Sequence, residues 1–137
     1  MKQSLYMIAA ILFAGPALAD AHLTATGDAA EGEKAFRQCQ SCHVVQNADG
    51  EVLAGRAAKT GPNLFDVVGR EAGSVEDFRY SDLMVAAGEA GMIYDESSFT
   101  AYVMDPTNSL REVTGETSGR SKMSYKVRKE EDALNLY

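Results

Sequence analysis

Two cysteines and a histidine form the tightest cluster of reactive side chains in the sequence, Cys39-Gln40-Ser41-Cys42-His43. A Cys-x-x-Cys-His run is the attachment pattern of c-type haem. On one helical turn the two thiols lie on the same side, spaced to add across the two vinyl groups of the porphyrin. The histidine that follows can then ligate the iron. The motif predicts one covalent haem c per chain, bound through Cys39 and Cys42, with His43 as an axial ligand.

Two other uses of this motif fit its surroundings less well. A thioredoxin-like dithiol follows a strand within a βαβ pattern, whereas the segment before Cys39 is predicted to be helical and no βαβ pattern follows. A zinc site needs about four ligands. Beyond the motif, the only other histidine is His22, which lies in a short N-terminal leader. Haem attachment is therefore the preferred interpretation.

The sixth ligand of the iron needs a separate assignment, because it distinguishes electron transfer from gas binding or catalysis. The methionines beyond the N-terminal segment are Met84, Met92, Met104 and Met123. Met84 lies in an apolar helical stripe and Met104 ends a predicted helix, and both settings favour packing. Met123 lies in a polar loop with little reason to pack. We predict Met123 as the axial thioether, with Met104 and an open or differently ligated iron as the alternatives.

The first 19 residues have the features of an export signal. Lys2 supplies a positive charge, residues 5–14 form an apolar run, and Ala17-Leu18-Ala19 has the small-x-small pattern that signal peptidase accepts. The apolar run is about half of the roughly 20 residues that span a bilayer, so no stable membrane anchor is expected. We predict a signal peptide over residues 1–19, with cleavage after Ala21 as the alternative, and one domain over residues 20–137.

Length and charge exclude several classes of protein. The 137 residues are 45% hydrophobic and carry 13 basic against 20 acidic side chains, a net charge of −7. Removal of Lys2 with the signal leaves 12 against 20, or −8. A chain of this length forms one domain, and its acidity argues against nucleic-acid binding, which needs a basic surface. Two cysteines cannot supply the disulfide framework of a small secreted protein.

Local sequence signals favour short helices and give little evidence of sheet. Asp28 can cap a first helix that leads into the cysteines. Further helices are predicted over residues 64–68, 82–89 and 96–104, the last closed by Pro106, and a final helix is predicted from residue 129 or 130. Residues 46–60 are predicted to be a long surface loop. No sustained alternation of apolar and polar residues predicts a hairpin.

The motifs and their order resemble those of the class I cytochromes c, and within them the bacterial cytochromes c2. The matching stretches are residues 27–36, the Cys-x-x-Cys-His motif, Lys59-Thr-Gly-Pro-Asn-Leu64, Val68-Gly-Arg70 and Lys122-Met-Ser-Tyr125. They extend over essentially all of the chain that follows the signal. The resemblance implies an all-α fold, a single small domain of about five short helices wrapped around one haem, with His43 and Met123 as axial ligands.

The resemblance also implies roles for residues around the haem. The Pro62 position in this family offers its carbonyl to the other nitrogen of the ligating histidine, which fixes the ring. The Tyr102 position lies beside the methionine sulfur, and Tyr80 and Arg70 match groups near a haem propionate. Tyr125 matches an aromatic residue that covers the exposed haem edge. Packing in a half-buried site is the alternative role for Tyr102 and Tyr80.

Two departures from the family pattern affect these expectations. The family places a tryptophan against an inner propionate, but this chain has no tryptophan, and Tyr94 is expected to substitute a phenol. The last helix of the family also continues past the position of Tyr137 and packs near Gly32 and Phe36. We expect either an incomplete sequence or the loss of part of this helix–helix contact, at about 1.5–3 kcal/mol for each large side chain lost.

Charged residues are distributed unevenly along the chain. Residues 71–116 carry ten acidic and two basic side chains, whereas residues 120–129 carry five basic side chains and no acidic one. The basic stretch flanks Met123, and the family places further cations around the same edge. The residues predicted to dock a partner are Lys34, Lys59, Arg120, Lys122, Lys126 and Lys129. A solvated stretch that is basic for no functional reason is the alternative.

The predicted function is that of a soluble electron carrier of the periplasm, not an enzyme, because both axial ligands stay bound and nothing is transformed. A cytochrome c2 relative would carry electrons, as a monomer, from a bc1-type complex to a photosynthetic reaction centre or a cytochrome oxidase. Acidic faces on these partners would steer the encounter. The alternative is a haem protein with an exchangeable sixth site, either gas-binding or a peroxidase. That alternative would need a distal acid–base residue.

Overall fold

The computed structural model of the protein describes residues 23–56 and 60–137. Its regular elements in these ranges are α1 (Ala29–Phe36), β1 (Val44–Gln46), β2 (Val52–Gly55), α2 (Asp82–Glu89), α3 (Glu96–Met104), α4 (Pro106–Thr114) and α5 (Glu130–Leu136). The predicted all-α class with about five short helices is confirmed. Within the two ranges no helix has the length and apolar character needed to cross a bilayer. The predicted signal peptide (1–19) and Lys59 lie outside the described residues.

Side-chain caps determine where the helices begin. Asp28 accepts hydrogen bonds from the backbone N–H groups of Ala30 and Glu31 at 2.8 and 3.0 Å, so α1 begins where the sequence predicts. At the start of α3, the Ser98 N–H donates to the Asp95 carboxylate, and the Asp95 N–H donates to the Ser98 hydroxyl. Caps of this kind stabilise a helix end by about 0.5–2 kcal/mol, because they satisfy N–H groups that have no partner within the helix.

Pro106 joins two helices, although the sequence analysis predicts only that it ends one. Helix α3 stops at Met104 as predicted, but Pro106 also opens α4, a helix that was not predicted. Proline is tolerated in the first turn of a helix because an N–H at that position would have no intrahelical partner. Asp105 caps the new helix by accepting a hydrogen bond from the Asn108 N–H at 3.3 Å.

Two further local predictions were wrong. Part of the predicted loop over residues 46–60 is strand β2, which pairs antiparallel with β1 in the register Val44 to Gly55 and Val45 to Ala54. The turn between them closes because Asn47 accepts hydrogen bonds from backbone N–H groups two and four residues ahead. Residues 64–68, predicted to be helical, form turns. There the Asn63 side chain accepts a hydrogen bond from the Phe65 N–H, which favours a turn over a helix.

Helices α1 and α5 approach each other closely enough for their backbones to touch. A Cβ atom added at Gly32 would lie 2.8 Å from the carbonyl carbon of Asn135, and closer still to its oxygen. The Asn135 side chain also accepts a hydrogen bond from the Asp28 N–H at 2.7 Å. Only glycine leaves room for this contact. The two ends of the described chain can therefore pack together because Gly32 has no side chain.

The hydrophobic core lies among α2, α3, α4 and α5, and it forms one wall of the cavity described below. Its most buried large side chains include Leu83, Met84, Val103 and Leu110. Tyr94 packs edge-on against Phe99 and Tyr102, with ring centroids 6.4 and 5.9 Å apart. Aromatic pairs in this arrangement contribute about 0.5–1.5 kcal/mol beyond the area they bury.

The glycine contact between α1 and α5 predicts a large effect for a small change. Gly32→Ala should lower the free energy of unfolding by about 1–3 kcal/mol, because the new methyl group forces the helices apart. Denaturant unfolding of the purified protein measures this difference. Ala30→Ser, at an exposed position of the same helix, is the matched control and should change stability by less than about 0.5 kcal/mol. Equal stability of the two variants would contradict the close contact.

Candidate cofactor site

A cavity of about 800 Å³ opens beside the core. Its walls are largely hydrocarbon, with Leu64, Val67, Met84, Phe99 and Val103 among the lining residues. Its volume falls within the roughly 300–1,000 Å³ of pockets that enclose small molecules and cofactors. The side chains that the sequence predicts as thioether and axial ligands also line it, namely Cys39, Cys42, His43 and Met123.

The Cys-x-x-Cys-His segment folds as a single helical turn after α1. The His43 N–H donates to the Cys39 carbonyl at 2.9 Å, and the Cys39 N–H donates to the Phe36 carbonyl at 2.8 Å. Cys39 and Cys42 are free thiols, each partly buried. Burial, and to a smaller extent the neighbouring Cys42, raises the pKa of the Cys39 thiol, so the uncharged thiol is the form present at neutral pH.

The imidazole of His43 is oriented from behind by the loop that follows the hairpin. Its Nδ1 lies 2.9 Å from the Pro62 carbonyl oxygen. A carbonyl can only accept, so Nδ1 carries the proton and Nε2 keeps its lone pair for a metal. Gly61 packs against the ring, since a Cβ at this position would lie 2.6 Å from Nδ1 and 2.8 Å from Nε2. Gly61 was not among the predicted site residues, although it stands next to Pro62.

The loop that carries the Pro62 carbonyl is held in place by side-chain hydrogen bonds to the residues that follow Pro62. The Asn63 amide donates to the Gln46 carbonyl at 2.7 Å, and the Gln46 N–H donates back to the Asn63 side chain at 3.0 Å. The Arg70 guanidinium donates to the carbonyls of Asn63 and Phe65, each at 3.0 Å. Arg70 therefore lines the cavity and at the same time braces the loop behind His43. A role for Arg70 at a haem propionate stays a prediction.

Met123 is positioned through a serine that the sequence analysis did not single out. The Met123 N–H donates to the Ser121 hydroxyl at 3.1 Å, and the Tyr102 hydroxyl hydrogen-bonds the same oxygen at 3.1 Å. Tyr102 thus contacts residues 119–127, the Met123 segment, through Ser121. Burial raises the pKa of the Tyr102 phenol, while the hydrogen bond to Ser121 opposes this shift. Ser121 also donates its backbone N–H to the Thr107 hydroxyl at 3.2 Å.

Two methionines line the cavity, and their sulfur atoms differ in their partners. The Met84 thioether is buried, with 3% of the residue exposed, and accepts a hydrogen bond from the Tyr94 hydroxyl at 3.5 Å. Burial raises the pKa of the Tyr94 phenol far enough that it stays a neutral donor. No hydrogen-bond donor among the described residues reaches the Met123 sulfur. Met104 is absent from the described lining of the cavity.

Two other tyrosines with predicted roles lie on the cavity wall. Tyr80 is half-buried and packs edge-on against Phe78, with ring centroids 4.8 Å apart, and burial raises the pKa of its phenol. Tyr125 is 41% exposed at the mouth, and its hydroxyl donates to the Gln38 side-chain oxygen. The roles predicted for Tyr80, Tyr94 and Tyr102 around the haem stay predictions, because the geometry establishes only their neighbours within the chain.

The residues predicted to dock a partner differ in whether their charged groups already have partners within the chain. Lys34 pairs with Glu31 at 2.6 Å, and Lys126 pairs with Asp105 at 2.7 Å. The Lys126 ammonium lowers the pKa of the Asp105 carboxyl. Lys122 lines the cavity and its ammonium donates to the Arg79 carbonyl. The remaining described members of the set are exposed: Arg120 and Lys129.

The lining fits a flat, mostly apolar macrocycle that carries an iron ion. Two free thiols stand on one turn, an imidazole offers Nε2, and a thioether sulfur accepts no hydrogen bond from the described residues. Imidazole and thioether are ligands that haem iron takes. The space that Gly61 leaves beside the imidazole would be filled by any other side chain. These features match the donor set that a covalent haem needs.

Known cytochromes share both the sequence and the fold. No family model matches the chain. Cytochrome c2 of Rhodovulum adriaticum is 56% identical over 112 residues, covering 82% of this chain and 89% of that protein. Cytochrome c2 of Cereibacter sphaeroides is 48% identical over 140 residues, covering 100% of this chain and 93% of that protein.

Solved structures extend this similarity to three dimensions. The crystal structure of cytochrome c2 from Rhodobacter sphaeroides superposes with a TM-score of 0.78 at 50% identity, covering 80% of this chain and 90% of that one. Ferric cytochrome c-550 from Paracoccus versutus superposes with a TM-score of 0.74 at 42% identity, covering 80% and 94%. The chain therefore belongs to the cytochromes c2 within the class I c-type cytochromes, electron carriers rather than enzymes, and it carries one covalent haem c.

Proposed function

We propose that the chain is a soluble one-electron carrier of the periplasm, with Cys39 and Cys42 as the covalent haem attachments and His43 and Met123 as the axial ligands. The observation that carries this proposal is that one apolar cavity brings together an oriented imidazole and a sulfur that accepts no hydrogen bond from the described residues. When bound, haem iron supplies one reversible electron between its ferrous and ferric states.

The surrounding residues keep the proposed ligands still while the charge on the site changes. Pro62 fixes the His43 ring through Nδ1, and Ser121 fixes the backbone at Met123. Ligands held in this way need little movement when an electron arrives or leaves. The hydrocarbon walls exclude water, and together with a thioether ligand they favour the less charged ferrous state and raise the reduction potential.

We propose that Arg70, Tyr80 and Tyr94 hold the haem propionates. The support is that these side chains bring polar atoms to a cavity whose walls are otherwise largely apolar. Arg70 would offer its charge while its terminal nitrogens brace the loop. Tyr94 would take the place that tryptophan has in the family, and its present partner is the Met84 sulfur.

The proposed location and partners follow from the N-terminal sequence and the charge distribution. Residues 1–19 would direct export and residues 20–137 would form the mature carrier. The donor would be a bc1-type complex, and the acceptor a photosynthetic reaction centre or a terminal oxidase. Exposed cations near the cavity mouth, Lys122 above all, would meet acidic faces on these partners. Ion pairing within the chain reduces the part that Lys34 and Lys126 can take.

The ligand assignment predicts different spectra for two methionine variants. Met123→Ala should abolish the low-spin visible spectrum of the holoprotein, because the thioether is lost. Met104→Ala should leave that spectrum unchanged, since Met104 is absent from the described lining. Visible absorption of the ferric and ferrous proteins measures both. Loss of low-spin coordination in the Met104 variant alone would make Met104 the ligand.

Carbon monoxide distinguishes the carrier from a haem protein with an exchangeable sixth site. Reduced wild-type protein should bind carbon monoxide slowly or negligibly at neutral pH, and reduced Met123→Ala should bind it readily. Ready binding by the wild type would favour the gas-binding or peroxidase alternative. The described lining contains no second histidine that could act as a distal acid or base.

The close contact between Gly61 and the His43 ring predicts the effect of a substitution at Gly61. Gly61→Ala should displace the imidazole, because a methyl group at this position would lie 2.6 Å from Nδ1. We expect a lower reduction potential and a partly high-spin ferric spectrum. Gly50→Ala is the matched control, since a Cβ at Gly50 approaches only the Gln46 side chain, at 3.9 Å, although its positive φ adds some strain. A wild-type spectrum and potential for Gly61→Ala would contradict the packing described here.

The docking proposal predicts opposite effects on anionic and cationic redox reagents. Lys122→Gln should slow oxidation by ferricyanide and speed oxidation by tris(phenanthroline)cobalt(III), each about twofold at low salt, with the effects lost at high salt. Ala90→Glu, at an exposed site in the acidic stretch, also lowers the net charge by one and is the control. Stopped-flow kinetics measures the four rates. Equal changes in the two variants would remove the claim that electrons pass near Lys122.

A further inference from the structure

One side-chain hydrogen bond crosses the mouth of the cavity. The Tyr125 hydroxyl donates to the side-chain oxygen of Gln38, 87 residues earlier in the chain. Gln38 immediately precedes Cys39, and Tyr125 lies two residues after Met123. Both Tyr125 and Gln38 line the cavity. The bond therefore joins the segment that carries the attachment cysteines to the segment that carries the proposed thioether ligand.

Apart from that bond, the polar contacts that the Met123 segment makes to other described residues lie on one side of the cavity. On the side of α2, α3 and α4, the Lys122 ammonium donates to the Arg79 carbonyl, the Ser121 hydroxyl hydrogen-bonds Tyr102, and the Ser121 N–H donates to Thr107. On the same side, the Gly119 carbonyl accepts a hydrogen bond from Arg111, Lys126 pairs with Asp105, and the Val127 N–H donates to the Val103 carbonyl. Towards the Cys39 side, the described residues supply one hydrogen bond to this segment, from Tyr125 to Gln38. If that one bond opens, the middle of the segment can move away from the Cys39 side, while its ends stay held by Arg111 of α4 and by α5, which packs on α1.

We propose that the bond between Tyr125 and Gln38 is a latch that holds the Met123 segment closed over the cavity. Its role is one of positioning, and it rests on the proposed function, in which Met123 ligates the iron. With the latch closed, an external ligand cannot reach the sixth position. With the latch open, the segment leaves that position for short periods and competing ligands enter.

The side chain of Tyr125 suits this task because its two ends face different surroundings. Its ring contributes to the apolar lining, while its hydroxyl reaches the exposed amide of Gln38. The bond is exposed to water, so its net contribution is modest, and its loss should shift the opening equilibrium by about two- to tenfold. Tyr125→Phe keeps the ring and removes only the latch.

Imidazole binding to the ferric holoprotein measures how often the sixth position opens. We expect Tyr125→Phe and Gln38→Ala each to raise the imidazole association rate about two- to tenfold. The double variant should be no faster than the faster single variant, because both changes remove the same bond. Gln38→Glu keeps an acceptor and should bind imidazole within about twofold of the wild-type rate.

A matched control separates the latch from general loosening of the protein. Thr26→Val removes another exposed side-chain hydrogen bond between distant parts of the chain, from Thr26 to Glu96 at 3.0 Å, away from the Met123 segment. It should leave the imidazole rate unchanged. Hydrogen–deuterium exchange of the peptide spanning residues 120–128 gives a second readout, and it should be faster in Tyr125→Phe than in the wild type or the control.

The outcomes distinguish failure of the latch from failure of the ligand assignment. Wild-type imidazole rates in both Tyr125→Phe and Gln38→Ala, with a faster rate in Met123→Ala, would overturn the latch and leave Met123 as the ligand. Additive effects in the double variant, or an equal effect of Thr26→Val, would also overturn it. A low-spin spectrum retained by Met123→Ala would remove the ligand assignment, and the latch would fall with it.

Discussion

A single hydrogen bond, from His43 Nδ1 to the Pro62 carbonyl, sets the geometry on which the site depends. It decides which imidazole nitrogen can face a metal and in which plane the ring lies. Several features of the fold help to keep that carbonyl still. The hairpin supplies Gln46 as a partner for Asn63, Arg70 clamps two carbonyls of the loop, and Gly61 leaves room for the ring.

Part of the hydrophobic core also forms a wall of the cavity. Tyr94, Tyr102 and Met84 pack within the core and also line the cavity. Their polar atoms are satisfied inside the protein, Tyr94 by the Met84 sulfur and Tyr102 by Ser121. The Met84 sulfur thus has a hydrogen-bond donor, whereas no described residue donates to the Met123 sulfur. The Tyr94 phenol therefore makes the sulfur atoms of Met84 and Met123 different, because it donates a hydrogen bond to only the first of them.

Sequence alone predicted the parts of the fold that depend on local spacing. The Cys-x-x-Cys-His turn and the helices over residues 82–89 and 96–104 need only near neighbours, and they lie where expected. Helix α4 was missed because a proline was interpreted only as a terminator, whereas Asp105 and Pro106 together are also a helix start. Gly61 and Ser121 were missed because their importance lies in contacts with residues far away in the chain. For the same reason, the pairing of Lys126 with Asp105 could not be foreseen from the charge distribution.

The contact between α1 and α5 has a consequence for the order in which the chain assembles. It joins Asp28 to Asn135, positions 107 residues apart, so it closes nearly the whole polypeptide into one ring. Closing so long a ring costs chain entropy that only later contacts repay, and such long-range contacts slow folding. Ribosomal synthesis completes the turn that bears the thiols long before it produces the last helix. The turn that bears the two thiols is built from bonds between near neighbours, so it can be in place before the two ends of the described chain meet.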